Sequence, residues 1–161
     1  MEATGPLLKT AAPRATPLDI LLVEDNPADA RLAAEALKES GFPSRLHWAA
    51  DGIHALQILR GQDEAATGVY PGLILLDLNL PKKDGREVLA EIKRDPALRR
   101  IPVIVLTISR AEADRDQSYD LNANCFINKP AQWDEFVAVV RSIKEFWFGR
   151  VALPGPDRLG A

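Results

Sequence analysis

Four short apolar runs in this chain each end on polar residues able to do ionic chemistry. Ile20-Leu21-Leu22-Val23 leads into Glu24-Asp25, Leu73-Ile74-Leu75-Leu76 into Asp77, Val103-Ile104-Val105-Leu106 into Thr107, and Cys125-Phe126-Ile127 into Asn128-Lys129-Pro130. Three carboxylates, a hydroxyl and an ammonium brought to one rim need something to offset the repulsion among the acids. The need is greatest at Asp77, which follows four apolar residues and is expected to sit part-buried. A hard divalent cation held by oxygens meets it, and Mg²⁺ suits best because it takes one or two carboxylates, several waters and phosphate oxygens. Such a cluster reads as a phosphoryl-transfer site. Asp77 would be the nucleophile, attacking a phosphoryl donor to form an acyl phosphate. The cation, the Lys129 ammonium and the Thr107 hydroxyl would neutralise the equatorial oxygens of the loose transition state.

Each member alone has a plainer reading. Glu24-Asp25 can serve only as favourable charge at a helix N-terminus, Thr107 as a helix cap, and Lys129 as a solvated surface lysine. Their joint placement at one rim is what sets them apart, and it requires the runs to be neighbouring parallel strands. In open parallel sheets, ligands sit outside the carboxyl ends of the strands, where strand order reverses.

The rest of the chain supplies that frame. From Asp19 onward, short runs of Leu, Ile and Val alternate with stretches of 3.6-residue periodicity, the pattern of βαβ units around a parallel sheet. Strands are expected at residues 20–23, 45–49, 73–76, 102–106 and about 124–127. The first helix opens at Asn26-Pro27-Ala28-Asp29, with a cap, a proline at the first position and an acid in the first turn. It carries Leu32, Ala33, Ala36 and Leu37 on one face and stops near Gly41. Asp51-Gly52 turns into a second helix with Ile53, Leu56, Ile58 and Leu59, followed by a polar loop holding Gly61 and Gly68. Asp84-Gly85 starts a third with Val88, Leu89 and Ile92, closing before Pro96. A polar fourth helix spans roughly residues 111–120, and the last fills residues 132 to about 148.

Composition narrows the function classes. The 161 residues suit one domain, and 47% apolar against 27% charged residues describes a chain that packs a core. Twenty basic against 23 acidic residues give a net charge of -3, which argues against a nucleic-acid groove. The one cysteine, Cys125, forms no internal disulfide, as fits a reducing cytosol, and neither His47 nor His54 has a metal-ligand companion at a helical or loop spacing. No apolar run approaches the roughly 18 residues that span a bilayer, and Leu7 and Leu8 are too little for a signal peptide. The expectation is a cytoplasmic protein with neither nucleic acid nor membrane as partner. Residues 1–17, with Gly5, Pro6, Pro13 and Pro17, read as a flexible arm, 18–148 as the folded domain, and 149–161 as a tail.

From Asp19 to Trp147 the chain resembles the receiver domain of two-component response regulators. The resemblance rests on Glu24-Asp25, on Asp77-Leu78-Asn79-Leu80-Pro81 with Gly85, on Thr107, and on Phe126 three residues before Lys129-Pro130, in that order. More narrowly, residues 122–130 and the closing Glu145-Phe146-Trp147 resemble the single-domain regulators that partner bacterial and cyanobacterial phytochromes. The family fold is α/β: a flavodoxin-like, doubly wound (βα)5 domain with a five-stranded parallel sheet of order 2-1-3-4-5. The resemblance implies that Asp77 is the phosphoacceptor, served by a sensor histidine kinase of phytochrome type. Asp25 and Asp77 would bind Mg²⁺ through their carboxylates, Asn79 through its backbone carbonyl, and Glu24 mainly through a metal-bound water. Lys129 would contact Asp77 and then the phosphoryl group, and the Lys129–Pro130 peptide is typically cis in the family. Thr107 and Phe126 would form the switch, the threonine hydroxyl following the phosphoryl oxygen and leaving room for the ring to turn inward. Such a chain is a phosphoacceptor signalling protein that assists its own phosphorylation and slow dephosphorylation, and not a turnover enzyme. It departs from the pattern at Ile108, where the family usually has a small residue, and at Phe126, which lacks the hydroxyl of the commoner tyrosine. Lys82 and Lys83, beside the site, read as solvated lysines ahead of a kinase dock.

Only 14 residues follow Trp147, so no DNA-binding output domain is expected and the signal must leave through a surface. The apolar positions of the last helix cover an arc of about 200°, where one core-facing stripe needs about 100°. Val139, Phe146 and Trp147 are therefore candidates for a homodimer or docking face, against the plainer option that this turn folds onto its own core. Three other readings fit less well. A phosphatase of the haloacid-dehalogenase type needs a second acid two residues after the nucleophile, where Asn79 stands. A flavodoxin-like cofactor binder needs a phosphate-cradling loop where Glu24-Asp25 stands, and a phosphorylation-dead scaffold would lack a member of the set.

Overall fold

A computed structural model describes residues 17–39 and 43–155. It pairs five parallel strands in the order β2-β1-β3-β4-β5, namely β1 (Leu18–Val23), β2 (Ser44–Ala49), β3 (Leu73–Leu76), β4 (Val103–Thr107) and β5 (Cys125–Asn128). Between and after them lie α1 (Pro27–Lys38), α2 (Gly52–Leu59), α3 (Gly85–Arg94), α4 (Glu112–Asp120) and α5 (Trp133–Gly149). This is the flavodoxin-like doubly wound order. The proposed arm and the end of the tail, residues 1–16 and 156–161, lie outside the described residues, as does Gly41; α1 ends at Lys38 with Glu39 as its C-cap.

Alternation along the strands divides the core in two. Leu21, Val23, Ile74, Leu76, Val103 and Val105 face one side, where Ala55, Leu56 and Leu59 of α2 and Val88, Leu89 and Ile92 of α3 cover them. Ile20, Leu22, Leu73, Leu75, Ile104 and Leu106 face the other, under α1 (Ala33, Ala36, Leu37) and α5 (Phe136, Val140, Ile143, Phe148). Both faces being covered explains why β3 is apolar at every position and wholly buried. Among the described residues, no helix is long and apolar enough to cross a membrane.

Local chemistry sets the helix starts. The Asn26 carboxamide accepts from the backbone N–H groups of Ala28 and Asp29, with Pro27 at the first helical position. Asp51 caps α2 through His54 N–H (2.8 Å), and Asp84 caps α3 through Arg86 N–H (2.8 Å). Several expectations are corrected. β1 starts two residues earlier, because Leu18 and Asp19 continue the ladder opposite Ser44 and Arg45. Of the apolar residues that the sequence places in α2, Leu56, Ile58 and Leu59 are buried with Gly52 and Ala55, and Ile53 is 43% exposed. The α2–β3 loop holds a 3₁₀ turn, Glu64–Ala66, capped by the Asp63 carboxylate. The Lys129–Pro130 peptide is trans, as are all peptides among the described residues.

Candidate functional site

Parallel register brings the strand ends together. Val23 lies opposite both Ala49 and Leu76, so Glu24 and Asp77 leave neighbouring strands at the same level. Glu24 N–H donates to Ala49 O (3.0 Å) and Asp77 N–H to Val23 O (3.0 Å). Thr107 pairs with Asn128, and Lys129 N–H donates to Thr107 O (2.7 Å). Four residues far apart in sequence thus share the carboxyl rim of the sheet.

The side chains converge there. Among the described residues, Glu24, Asp25 and Asp77 each bring one carboxylate oxygen to within 4.8 Å of the others. Glu24 and Asp77 are buried and Asp25 is exposed. The buried Lys129 reaches them from β5, its Nζ standing 2.6 Å from Glu24 Oε2 and 3.5 Å from Asp77 Oδ2. Asn79 N–H donates to the other Asp77 oxygen at 3.2 Å, so the two oxygens of that carboxylate have different partners. Burial pushes the Glu24 carboxyl up to about 7, even though Lys129 and the Asn26 N–H pull it down. Burial also works against the Lys129 ammonium, but Glu24, Asp77 and Asp29 outweigh it and hold the group above the ordinary lysine value. The pocket is short of positive charge. Its donors are all carboxylate oxygens with no thiolate or imidazole among them, a set that suits a hard divalent cation.

The plainer readings of these residues do not describe them. Lys129 is buried and not solvated, and Thr107 is wholly buried and does not cap α4, whose N-cap is Ala111 with no side-chain bond. Instead, Thr107 Oγ1 accepts from Ser109 N–H (3.3 Å) in the β4–α4 loop. That loop is further held by Asn128, whose side chain donates to Ser109 O, and by the Ser109 hydroxyl bonded to Asp114. Arg86 of α3 also grips Asp114 at 2.6 Å. Phe126 is half-buried against the α2–α3 side of the core, and its N–H donates to Tyr119 Oη (3.2 Å). Of the two neighbouring lysines, Lys82 pairs with Asp51 (3.4 Å) and Lys83 with Glu91. Val139 and Trp147 are half-buried and Phe146 is 56% exposed. With Cys125, Ile127 and Ile143 they line an apolar groove of about 510 Å³, some way from the acids in sequence and on a different element.

Close approach at the site demands glycine at one point. A Cβ on Gly85 would lie 2.2 Å from Asp77 O and 2.6 Å from Leu78 Cα, so only glycine lets α3 start against the chain that leaves Asp77.

Two site residues were not legible as such in the sequence. Asp29 reads there as a first-turn helix acid, yet its Oδ2 lies 3.2 Å from Lys129 Nζ. Trp48, near the end of β2, donates its indole N–H to Glu24 O (2.7 Å) and fixes the main chain between β1 and α1. The usable signals are slight: Asp29 lies in the first turn of the helix that follows the acidic pair, and Trp48 is a large residue near the end of an edge strand.

Residues 20–141 match the response regulator receiver domain family. The chain is 50% identical over 138 residues to response regulator Rcp1 of Synechocystis sp., covering 86% of this chain and 94% of Rcp1. The crystal structure of the phosphorylated cyanobacterial phytochrome response regulator RcpA superposes with a TM-score of 0.83 at 51% identity, over 87% of this chain and 100% of RcpA. That of the Mn²⁺-bound form of Rcp1 superposes with a TM-score of 0.82 at 50% identity, over 86% of this chain and 100% of the other.

Proposed function

We propose, from the premise that this chain belongs to the response regulator receiver domain family, that Asp77 accepts a phosphoryl group from a sensor histidine kinase of phytochrome type. The chain is homologous to phytochrome response regulators, which supports the choice of kinase. The observation that carries the reading is the buried Asp77 carboxylate, within 4.8 Å of two further acids and 3.5 Å from a buried ammonium. The phosphatase alternative is dropped: the position two residues on is Asn79, an amide whose backbone N–H is committed to Asp77.

The three-carboxylate set fits a divalent cation, and the metal named for the similar Rcp1 structure is one. We take it to be Mg²⁺, which Asp25 and Asp77 would hold through their carboxylates, with the Asn79 carbonyl and Glu24 as further residues that would serve it. When bound, it supplies positive charge beside the incoming phosphoryl oxygens. The chain's own residues do the rest. Asn79 N–H and Lys129 orient the two oxygens of Asp77. One of them forms the O–P bond as the P–N bond of a phosphohistidine breaks, and the imidazole leaves with the electron pair and takes up a proton from water. Lys129 then stands against the new phosphoryl charge. Thr107, tied in the resting state to Ser109, turns its hydroxyl to a phosphoryl oxygen, the β4–α4 loop follows, and Phe126 packs inward in its place. In this role the chain assists its own phosphorylation and slow dephosphorylation without turning over a substrate. The groove beside α5 is the face through which two copies would pair, since Phe146 and Trp147 pack edge to face there (5.9 Å, 87°) with Phe146 exposed.

The test is intact-mass measurement after incubation with Mg²⁺ and acetyl phosphate. The wild type is expected to gain one phosphoryl group, and Asp77→Asn or chelation of the cation to abolish the gain. An equal gain in Asp77→Asn overturns the reading.

A further inference from the structure

Lys129 is shared unequally. Its ammonium lies 2.6 Å from Glu24, 3.2 Å from Asp29 and 3.5 Å from Asp77, so the acid it is supposed to serve is its most distant partner. At 3.5 Å a hydrogen bond is weak, whereas 3.2 Å is within the ordinary range. Asp29 stands outside the triad of acids that can share a cation, which consists of Glu24, Asp25 and Asp77. It sits in the first turn of α1, its N–H held by the Asn26 side chain (3.3 Å), and its side chain is 31% exposed. From there it contributes a fixed negative charge and a competing acceptor for the ammonium.

We propose that Asp29 is a positioning residue that holds the Lys129 ammonium back from Asp77, slowing phosphorylation of Asp77 while strengthening the pocket's hold on a divalent cation. The inference rests on the phosphoacceptor reading above and deepens it. The two effects have opposite signs for a physical reason. Converting the Asp77 carboxylate to an acyl phosphate adds negative charge, which a fourth carboxylate nearby repels. A cation entering the same pocket is attracted by that carboxylate. In addition, approach of Lys129 to the phosphoryl oxygens draws it away from both Glu24 and Asp29, so removing the Asp29 charge lowers one of the two competing attractions on the ammonium. A residue with a merely structural role would move both quantities in the same direction when lost, by loosening the site.

The test compares wild type, Asp29→Asn and Asp29→Glu, using acetyl phosphate as donor at saturating Mg²⁺ for the rate of intact-mass gain, and calorimetric titration with Mg²⁺ alone for affinity. Asp29→Asn is expected to gain mass about threefold to tenfold faster than wild type and to bind Mg²⁺ about twofold to fivefold more weakly, the size of a partly screened unit charge a few ångströms away. Asp29→Glu, which keeps the charge, is expected to stay close to wild type in both. A rate for Asp29→Asn equal to or below that of wild type overturns the inference, as does an Asp29→Glu variant that accelerates as much as the amide. Failure of the wild type itself to gain mass overturns the phosphoacceptor reading beneath it, and is told apart by the wild-type arm.

Discussion

Replacing Gly85 with alanine is expected to destabilise the fold and disturb Asp77 together, although this glycine begins a helix and has ordinary backbone angles. At an open position of that kind, Gly→Ala stabilises by about 0.4–1 kcal/mol through the unfolded chain. Here the added methyl would meet Asp77 O at 2.2 Å, Leu78 Cα at 2.6 Å and Leu78 O at 2.9 Å, where ordinary contact begins near 3.4 Å. All three are backbone atoms, so no side chain can rotate away and α3 must retreat by about 1 Å. That retreat loosens Val88, Leu89 and Ile92, each wholly buried. Overpacking costs about 1–3 kcal/mol, and clashes with three backbone atoms put this case at the upper end, leaving a net loss of about 2 kcal/mol after the unfolded-state gain. Urea unfolding monitored by circular dichroism reads this as a lower midpoint at unchanged slope, with a Tm lower by about 4–8 °C. Two controls separate sterics from conformation. Gly61→Ala, at φ +70 with open space around it, should lose about 1 kcal/mol from the left-handed backbone alone and leave phosphorylation unchanged. Gly155→Ala, also in open space, should stay within about 0.5 kcal/mol. A Gly85→Ala variant as stable as wild type, or one that phosphorylates at the wild-type rate, would refute the close-approach argument.

Three further outcomes are expected. Lys144 of α5 is buried and donates to Leu37 O at the end of α1, and burial lowers its pKa below the ordinary lysine value. The unfolded chain therefore holds this proton more tightly, so wild-type stability should rise with pH between the folded pKa and about 10.4, and Lys144→Met should flatten that rise in pH-dependent unfolding; an unaltered profile counts against it. Ile108 is 66% exposed directly after Thr107, and Ile108→Ala should lose the phosphoryl group several-fold faster in a decay time course, by admitting water to the acyl phosphate; an unchanged or slower decay contradicts this. Phe146→Ala with Trp147→Ala should shift the solution mass by light scattering from dimer to monomer, and a wild type that is already monomeric removes the homodimer.

The sheet is legible in the sequence because the apolar runs of β3 and β4 are unbroken until Asp77, just past the end of β3, and Thr107, the last residue of β4, so strand ends and site coincide. Asn26-Pro27 and Asp84-Gly85 likewise mark helix starts by local chemistry that needs no tertiary context. What escaped depends on the phase of a helix or on partners far along the chain. Ile53 is apolar yet 43% exposed, and one apolar residue at a helix start does not reveal which way the first turn faces. The bond of Asp29 to Lys129 spans 100 residues, and nothing in either local pattern announces it. Trp48 reads as an edge-strand aromatic until β2 and β1 are paired, when its indole reaches the carbonyl of Glu24. The polar α4 buries only Ser118, so its position is set by Asp114, Ser109 and Arg86 and not by an apolar stripe.

One particular carboxylate, that of Asp77, is proposed to carry the phosphoryl group. Reduction of the phosphorylated chain with borohydride converts an acyl phosphate to the corresponding alcohol, so peptide mass spectrometry should find residue 77 as homoserine after treatment with Mg²⁺ and acetyl phosphate. Homoserine at position 77 and at no other acid is the result expected. Reduction at position 24, 25 or 29 in its place, or a phosphoryl group on a hydroxyl that resists borohydride, would contradict the account.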